Sequence, residues 1–144
     1  MARIKIKLPQ SFEFSTEIPI RISDVNYGGH MGHDAVLSLI HEARMRFLGA
    51  MGFSELDIYG FAIILADAVI VYKSEAFYGD TLKIGVTRDD YNKYGCDLFY
   101  KLTNKATGRE VARAKTGIVF FDYDTREMVR VPERLKEQKP DPEC

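Results

Sequence analysis

A chain of 144 residues has room for one domain and not for two. Hydrophobic residues at 46% and charged residues at 28% exclude a disordered chain, a fibrous repeat and a membrane-embedded protein. Twenty Lys and Arg against 21 Asp and Glu leave a net charge of −1 with no block of one sign, so the field needed for unspecific nucleic-acid binding is missing and a small partner fits better.

Residues 1–9 carry charge but no apolar run long enough for a signal peptide. Residues 12–22 alternate, with Phe12, Phe14 and Thr16 on one side and Ile18, Ile20 and Ile22 continuing it. That period of two predicts a strand, which Pro19 confines to an edge or a bulge. Residues 23–33 form a glycine-containing polar loop. From Asp34 to Met51 the period becomes helical: Val36, Ile40, Ala43, Phe47 and Met51 make a stripe that Leu37, Leu39 and Leu48 widen to about half the circumference. Ser38, His41, Glu42, Met45, Arg46 and Gly49 are left as the polar wedge. Asp34 suits the cap or first turn, Glu42 and Arg46 pair at i,i+4, and Gly49 and Gly52 mark the exit. Arg44 falls inside the apolar arc, where it must snorkel out or find a buried carboxylate.

Four strand-like runs follow a loop at 57–60: residues 61–76, 81–90, 94–105 and 109–123. Turn signals at 79–80, 92–93 and 107–108 predict an antiparallel meander. Pro132 precedes a short closing helix over 133–138, and the tail 137–144 reads as frayed because of its prolines and charges. The pattern is α+β, a single domain over 1–144 with its core at about 12–136. One helix cannot cover both faces of a five- or six-stranded sheet, so the sheet curls around it and a second copy is expected on the uncovered surface.

No G-x-S-x-G elbow, P-loop or dinucleotide fingerprint occurs. Cys96 and Cys144 form no C-x-x-C pair, which suits a reducing, cytoplasmic compartment. His30-x-x-His33 next to Asp34 could in principle hold a metal, but such sites normally recruit a further ligand from elsewhere in the chain, so neither a metal nor an organic cofactor is expected. The loop from Asp24 to His33 runs into a helix N-terminus, where free N–H groups and the dipole favour an oxyanion on a carbonyl under attack.

The run S-D-V-N-Y-G-G-H-M-G-H at 23–33, followed by H-E-A-R at 41–44, resembles the signature of hotdog-fold thioesterases. The branch is that of 4-hydroxybenzoyl-CoA thioesterase and the acyl-CoA thioester hydrolases. A second match, A-F-Y-G-D-T-L at 76–82, is similar to the family's A-x-x-G-D-x-L turn. The resemblance implies a curved antiparallel sheet around one long central helix, and hydrolysis of an acyl thioester carried by coenzyme A or an acyl-carrier protein. It also implies a homodimer, or a dimer of dimers.

It further implies site residues. Asp24, Asn26 and His30 would lie nearest the chemistry, and Tyr27, Gly29, His33, Tyr72, Ser74 and Glu75 would line the substrate. The chain departs from the family where the catalytic carboxylate is expected, because Asn26 stands there and cannot act as nucleophile or base. Asp24 or His30 would then activate water, or Glu75 across a dimer; otherwise the protein binds acyl-CoA without turning it over. A hydratase reading finds no matching pattern.

Overall fold

In the computed structural model, residues 3–140 are described. Strand β1 (Phe14–Pro19) buries Phe14, Thr16 and Ile18 on one face, with Pro19 on the sheet edge, and Ile20 N–H beyond it still donates to the Asp80 carbonyl at 2.8 Å. It is shorter than its alternation suggests. Ile22 is exposed and begins a 3₁₀ turn, Ile22–Asp24. Phe12 leaves the row, laying its ring over Gly85, where a Cβ would sit 3.0 Å from the ring.

Helix α1 (His33–Ala50) turns Ala35, Val36, Leu39, Ile40, Ala43 and Phe47 into the core. Leu37, expected in the stripe, is exposed, because the buried positions come in adjacent pairs separated by adjacent exposed pairs. Glu42 and Arg46 form the expected pair at 2.9 Å, and Arg46 also donates to Thr16 Oγ1 at 2.8 Å, tying the polar wedge to β1.

The remaining strands are β2 (Ala62–Tyr72), β3 (Thr81–Asp89), β4 (Gly95–Asn104), β5 (Glu110–Asp122) and the two-residue β6 (Glu127–Met128), which no sequence signal announced. All pairings are antiparallel. The order β1-β3-β4-β5-β2 corrects the predicted meander. Among the long strands only β3, β4 and β5 run as consecutive neighbours; β2 pairs with β5 at the opposite edge from β1. The Gly79–Asp80 turn therefore closes no hairpin. It ends a connection over residues 73–80 that crosses the end of the sheet, held by Phe77 N–H donating to Asp80 Oδ2 at 2.9 Å. Within β2 a bulge lies between Leu65 and Asp67, where Asp67 Oδ1 accepts Gly117 N–H and Lys115 Nζ, both at 2.9 Å.

Two buried guanidinium groups brace the fold. Arg44, 3% exposed, finds its carboxylate: Nε donates to Glu55 Oε2 at 2.9 Å and Nη1 to Tyr100 Oη at 3.1 Å, while Tyr100 Oη also shares a hydrogen bond with Thr116 Oγ1. Arg88 forks onto Glu13, with Nη2 at 2.6 Å from Oε1 and Nε at 3.0 Å from Oε2. It also donates to the carbonyls of Leu135 and Gln138, both at 2.7 Å. The expected closing helix is a 3₁₀ helix, Glu133–Glu137. Gln138, predicted to fray, is thus held by Arg88, whereas residues 141–144 of that tail lie outside the described residues.

Truncating Arg44 to Ala removes stem packing and leaves Glu55 without its buried partner, and should cost about 3 kcal/mol, read as a lower urea midpoint with unchanged slope. Acid should destabilise the fold through Glu13 and Glu55. For Glu13, burial raises the carboxyl pKa but the hydrogen bonds and charge of Arg88 outweigh it; for Glu55, burial is outweighed by His41 and Arg44, so both end below the ordinary 4.5. The unfolded chain then binds more protons between the two values, so stability is full above pH 4.5 and declines as pH falls through the folded pKa. Urea midpoints between neutral pH and pH 3 should show this decline, and Glu13→Gln should flatten it.

Candidate active site

The loop that enters α1 is a pinched hairpin. Asp24, 5% exposed, turns its carboxylate back to Arg21, accepting the backbone N–H at 2.9 Å, Nη2 at 3.2 Å and Nε at 3.3 Å. Its carbonyl accepts Gly32 N–H at 3.0 Å, closing the loop at its base, above which Val25 and Met31 form a bridge. At the tip Asn26 Oδ1 accepts Gly28 N–H at 2.9 Å, an Asx turn, and Asn26 N–H donates to the His30 carbonyl at 2.9 Å. The turn needs Gly29 at φ +85°, a conformation that side chains resist.

This hairpin presents His30 and starts the helix at Gly32–His33. Gly32 is the N-cap, and a Cβ there would come within 2.7 Å of Asp34 Oδ1, so only glycine lets that carboxylate fold over the helix start. The N–H of His33 occupies the first helical position, where no internal acceptor exists.

Beside it lies a cleft of about 240 Å³. His30, His33, Tyr72, Ser74 and Glu75 form its polar side, and Met31, Val36, Ala76, Val111 and Ala112 its apolar floor, with Lys73 at the rim. The residues 74–76 arrive through the 73–80 crossover, locked to the loop by Met31 N–H donating to the Ala76 carbonyl at 2.7 Å. Ala112 arrives because β2 pairs with β5, which sets it opposite Tyr72.

Tyr72 joins the edge strand to the helix start. Its hydroxyl donates to the His33 carbonyl at 3.3 Å, and the two rings meet edge-on with centroids 4.5 Å apart. Burial, with the charge of Asp34 added, raises the phenol pKa above its usual 10.0, so it stays a donor at neutral pH. His30 Nδ1 lies 3.3 Å from the Met31 carbonyl. With the proton assigned to Nδ1 by that contact, Nε2 is left as the basic nitrogen, and it faces Gly28, where a Cβ would stand 3.4 Å away. Ser74 Oγ donates to the Glu110 carbonyl at 2.8 Å and so fixes the crossover rather than facing an open acceptor.

Five of the nine sequence-predicted site residues thus gather in the cleft. Asp24 and Asn26 sit behind it and shape the loop; Gly29 is the exposed loop tip and Tyr27 points fully into solvent. Sequence reasoning missed the floor. Its only signal was the small size of two distant residues, Ala76 and Ala112, which gains meaning once the strand order is known. Among the described residues no three His, Cys, Asp or Glu side chains are grouped to hold a metal. Among the described residues no helix is long and apolar enough to cross a membrane.

Comparison with solved structures supports the architecture. A 1,4-dihydroxy-2-naphthoyl-CoA thioesterase from Synechocystis superimposes with a TM-score of 0.78 at 23% identity, covering 85% of this chain and 92% of its own. A DHNA-CoA thioesterase from Staphylococcus aureus gives 0.75 at 21% identity over 86% and 84%. YbaW, a probable thioesterase from Escherichia coli, gives 0.73 at 22% over 86% and 94%. At these identities the likeness establishes the fold alone, the hotdog arrangement of a curved antiparallel sheet around one helix. No curated protein matches the chain in sequence. The sequence pattern of the thioesterase-like superfamily does match, over residues 20–138, a span holding the loop, the helix and every wall of the cleft, and the chain belongs to that superfamily.

Proposed function

We propose that this protein hydrolyses acyl thioesters, acyl-coenzyme A in the first place, to the free acid and coenzyme A. One observation carries the reading: the start of α1, the His30 imidazole and an apolar floor line a single cleft. The thioester carbonyl would lie against His33 N–H with the acyl chain on Met31, Val36 and Ala112. Water attacks the carbonyl carbon, its proton passes to the His30 imidazole, and the carbonyl oxygen becomes an oxyanion facing the helix dipole. Collapse breaks the C–S bond; the thiolate leaves and takes up the proton. A thiolate is a good leaving group, so a single base and a dipole suffice.

His30 is favoured over Asp24 because the Asp24 carboxylate is spent on Arg21, and over Asn26 because an amide has no basic nitrogen. Glu75, exposed on the same cleft, supplies a second carboxylate that can orient the water. The naphthoyl substrate in the name of the Synechocystis relative makes aromatic acyl groups the first to try.

The assembly belongs to this proposal. β2 is an edge strand of 11 residues with Ile64, Leu65 and Tyr72 exposed, a surface that a second copy would cover, walling the cleft at the Tyr72 end. A homodimer of twice 16.4 kDa is expected in light scattering, and Leu65→Lys should shift it to the monomer.

Purified protein should release thiol from aromatic or aliphatic acyl-CoA esters. His30→Ala should lower kcat by about 10²-fold or more with the fold intact by circular dichroism. Substrate analogues that raise the melting temperature while no ester yields thiol would instead identify a non-catalytic acyl-CoA binder, the reading that Asn26 raises.

A further inference from the structure

Residues 3–9 cross the outward face of the sheet instead of joining it. Arg113 Nη1 on β5 donates to the Ile6 carbonyl at 2.9 Å and pins the segment in place. Between the segment and the sheet lies a second cleft of about 300 Å³, walled by Lys5, Ile6, Lys7, Val71, Lys73 and Arg113. Lys101 stands directly across from Arg113 in the β4–β5 register and is exposed. Among the described residues no carboxylate lines this cleft. Glu110 on β5 is held by Arg113 at 2.7 and 2.8 Å, and that hydrogen bond keeps its carboxyl below the ordinary range despite burial. In a chain of net charge −1 four cations thus share one carboxylate-free wall; Arg113 is already paired with Glu110, and Lys5 and Lys7 also border an adjoining cleft that holds Asp90 and Asp97. Lys73 belongs to both clefts, so the cationic one begins where the acyl cleft ends.

We infer that the outer-face cleft of Lys5, Lys7, Lys73 and Arg113, with Lys101 at its margin, binds the phosphate groups of coenzyme A's nucleotide. This rests on the acyl-CoA reading above. A thioester carbonyl at His33 places the sulfur at the cleft mouth, and the pantetheine arm then leads past Lys73 to the lysines of the N-terminal segment. Lysine ammonium groups on flexible stems suit phosphates as point charges. The acidic helix of a carrier protein is a poorer occupant, because a helix about 10 Å across does not enter a cavity between a strap and a sheet.

The test uses Lys5→Glu/Lys7→Glu, both exposed and outside the acyl cleft, with two esters of one acyl group, on coenzyme A and on N-acetylcysteamine. The double variant should raise KM for the CoA ester about tenfold with little change in kcat. The N-acetylcysteamine ester, which lacks the nucleotide, should be unaffected, and added salt should raise KM for the CoA ester alone. An unchanged KM, an equal loss on both esters, or a loss confined to an acyl-carrier-protein thioester would overturn the inference. If neither ester is hydrolysed, the hydrolase reading has failed by itself. Calorimetry with adenosine 3′,5′-bisphosphate then decides the cleft: binding to the wild type that the double variant loses supports it, and no binding overturns it.

Discussion

The site depends on β2 being barred from its sequence neighbour. Because β2 pairs with β5 and not with β3, the chain must travel the width of the sheet between Tyr72 and Thr81. That path passes the start of α1, and the Met31–Ala76 hydrogen bond welds it there. A hairpin in its place would have left the helix dipole facing solvent, with no floor to receive an acyl chain. The connection thus turns a packing solution into a cavity.

Rigidity comes from polar groups as much as from the apolar core. Arg44 reaches from the helix to Tyr100 on β4 and to Glu55 in the following loop, fixing how the helix sits on the sheet. Arg88 does the same for the approach to β1 and for the C-terminal 3₁₀ helix. Each is a buried cation whose desolvation is offset by several directed partners. Each also punishes misplacement of those partners, which favours one arrangement of the elements over its near alternatives. Cys96, behind Arg88, is the opposite case: burial pushes its thiol up to about 12, leaving it an inert filler.

The helix and the four long strands were legible in the sequence because period follows from which face is buried. Arg44 was legible as a problem awaiting a carboxylate, though Glu55 was not identifiable as the answer. Strand order was invisible, since alternation describes a strand's faces and says nothing of its neighbours, and the floor residues Val111 and Ala112 were lost with it. Within the loop, sequence identified the segment and misjudged the direction of side chains. Asp24 and Asn26 are consumed by local hydrogen bonds to Arg21 and Gly28, a competition between side chain and backbone that composition cannot resolve. His30, His33 and Glu75 reached the cleft because they lie on the two segments that the Met31–Ala76 contact joins.

The interruption in β2 bears on which strands its free border can accept. An apolar border strand of 11 residues is a template for open-ended fibril growth. Between Leu65 and Asp67 the ladder is broken, and a carboxylate takes the place of a main-chain acceptor. An incoming strand cannot zip along the full border in arbitrary alignment; it must choose a side of the kink, with the charged Asp67 marking the limit. An irregularity that β5 absorbs inside the sheet thus narrows the alignments open to any strand added outside it.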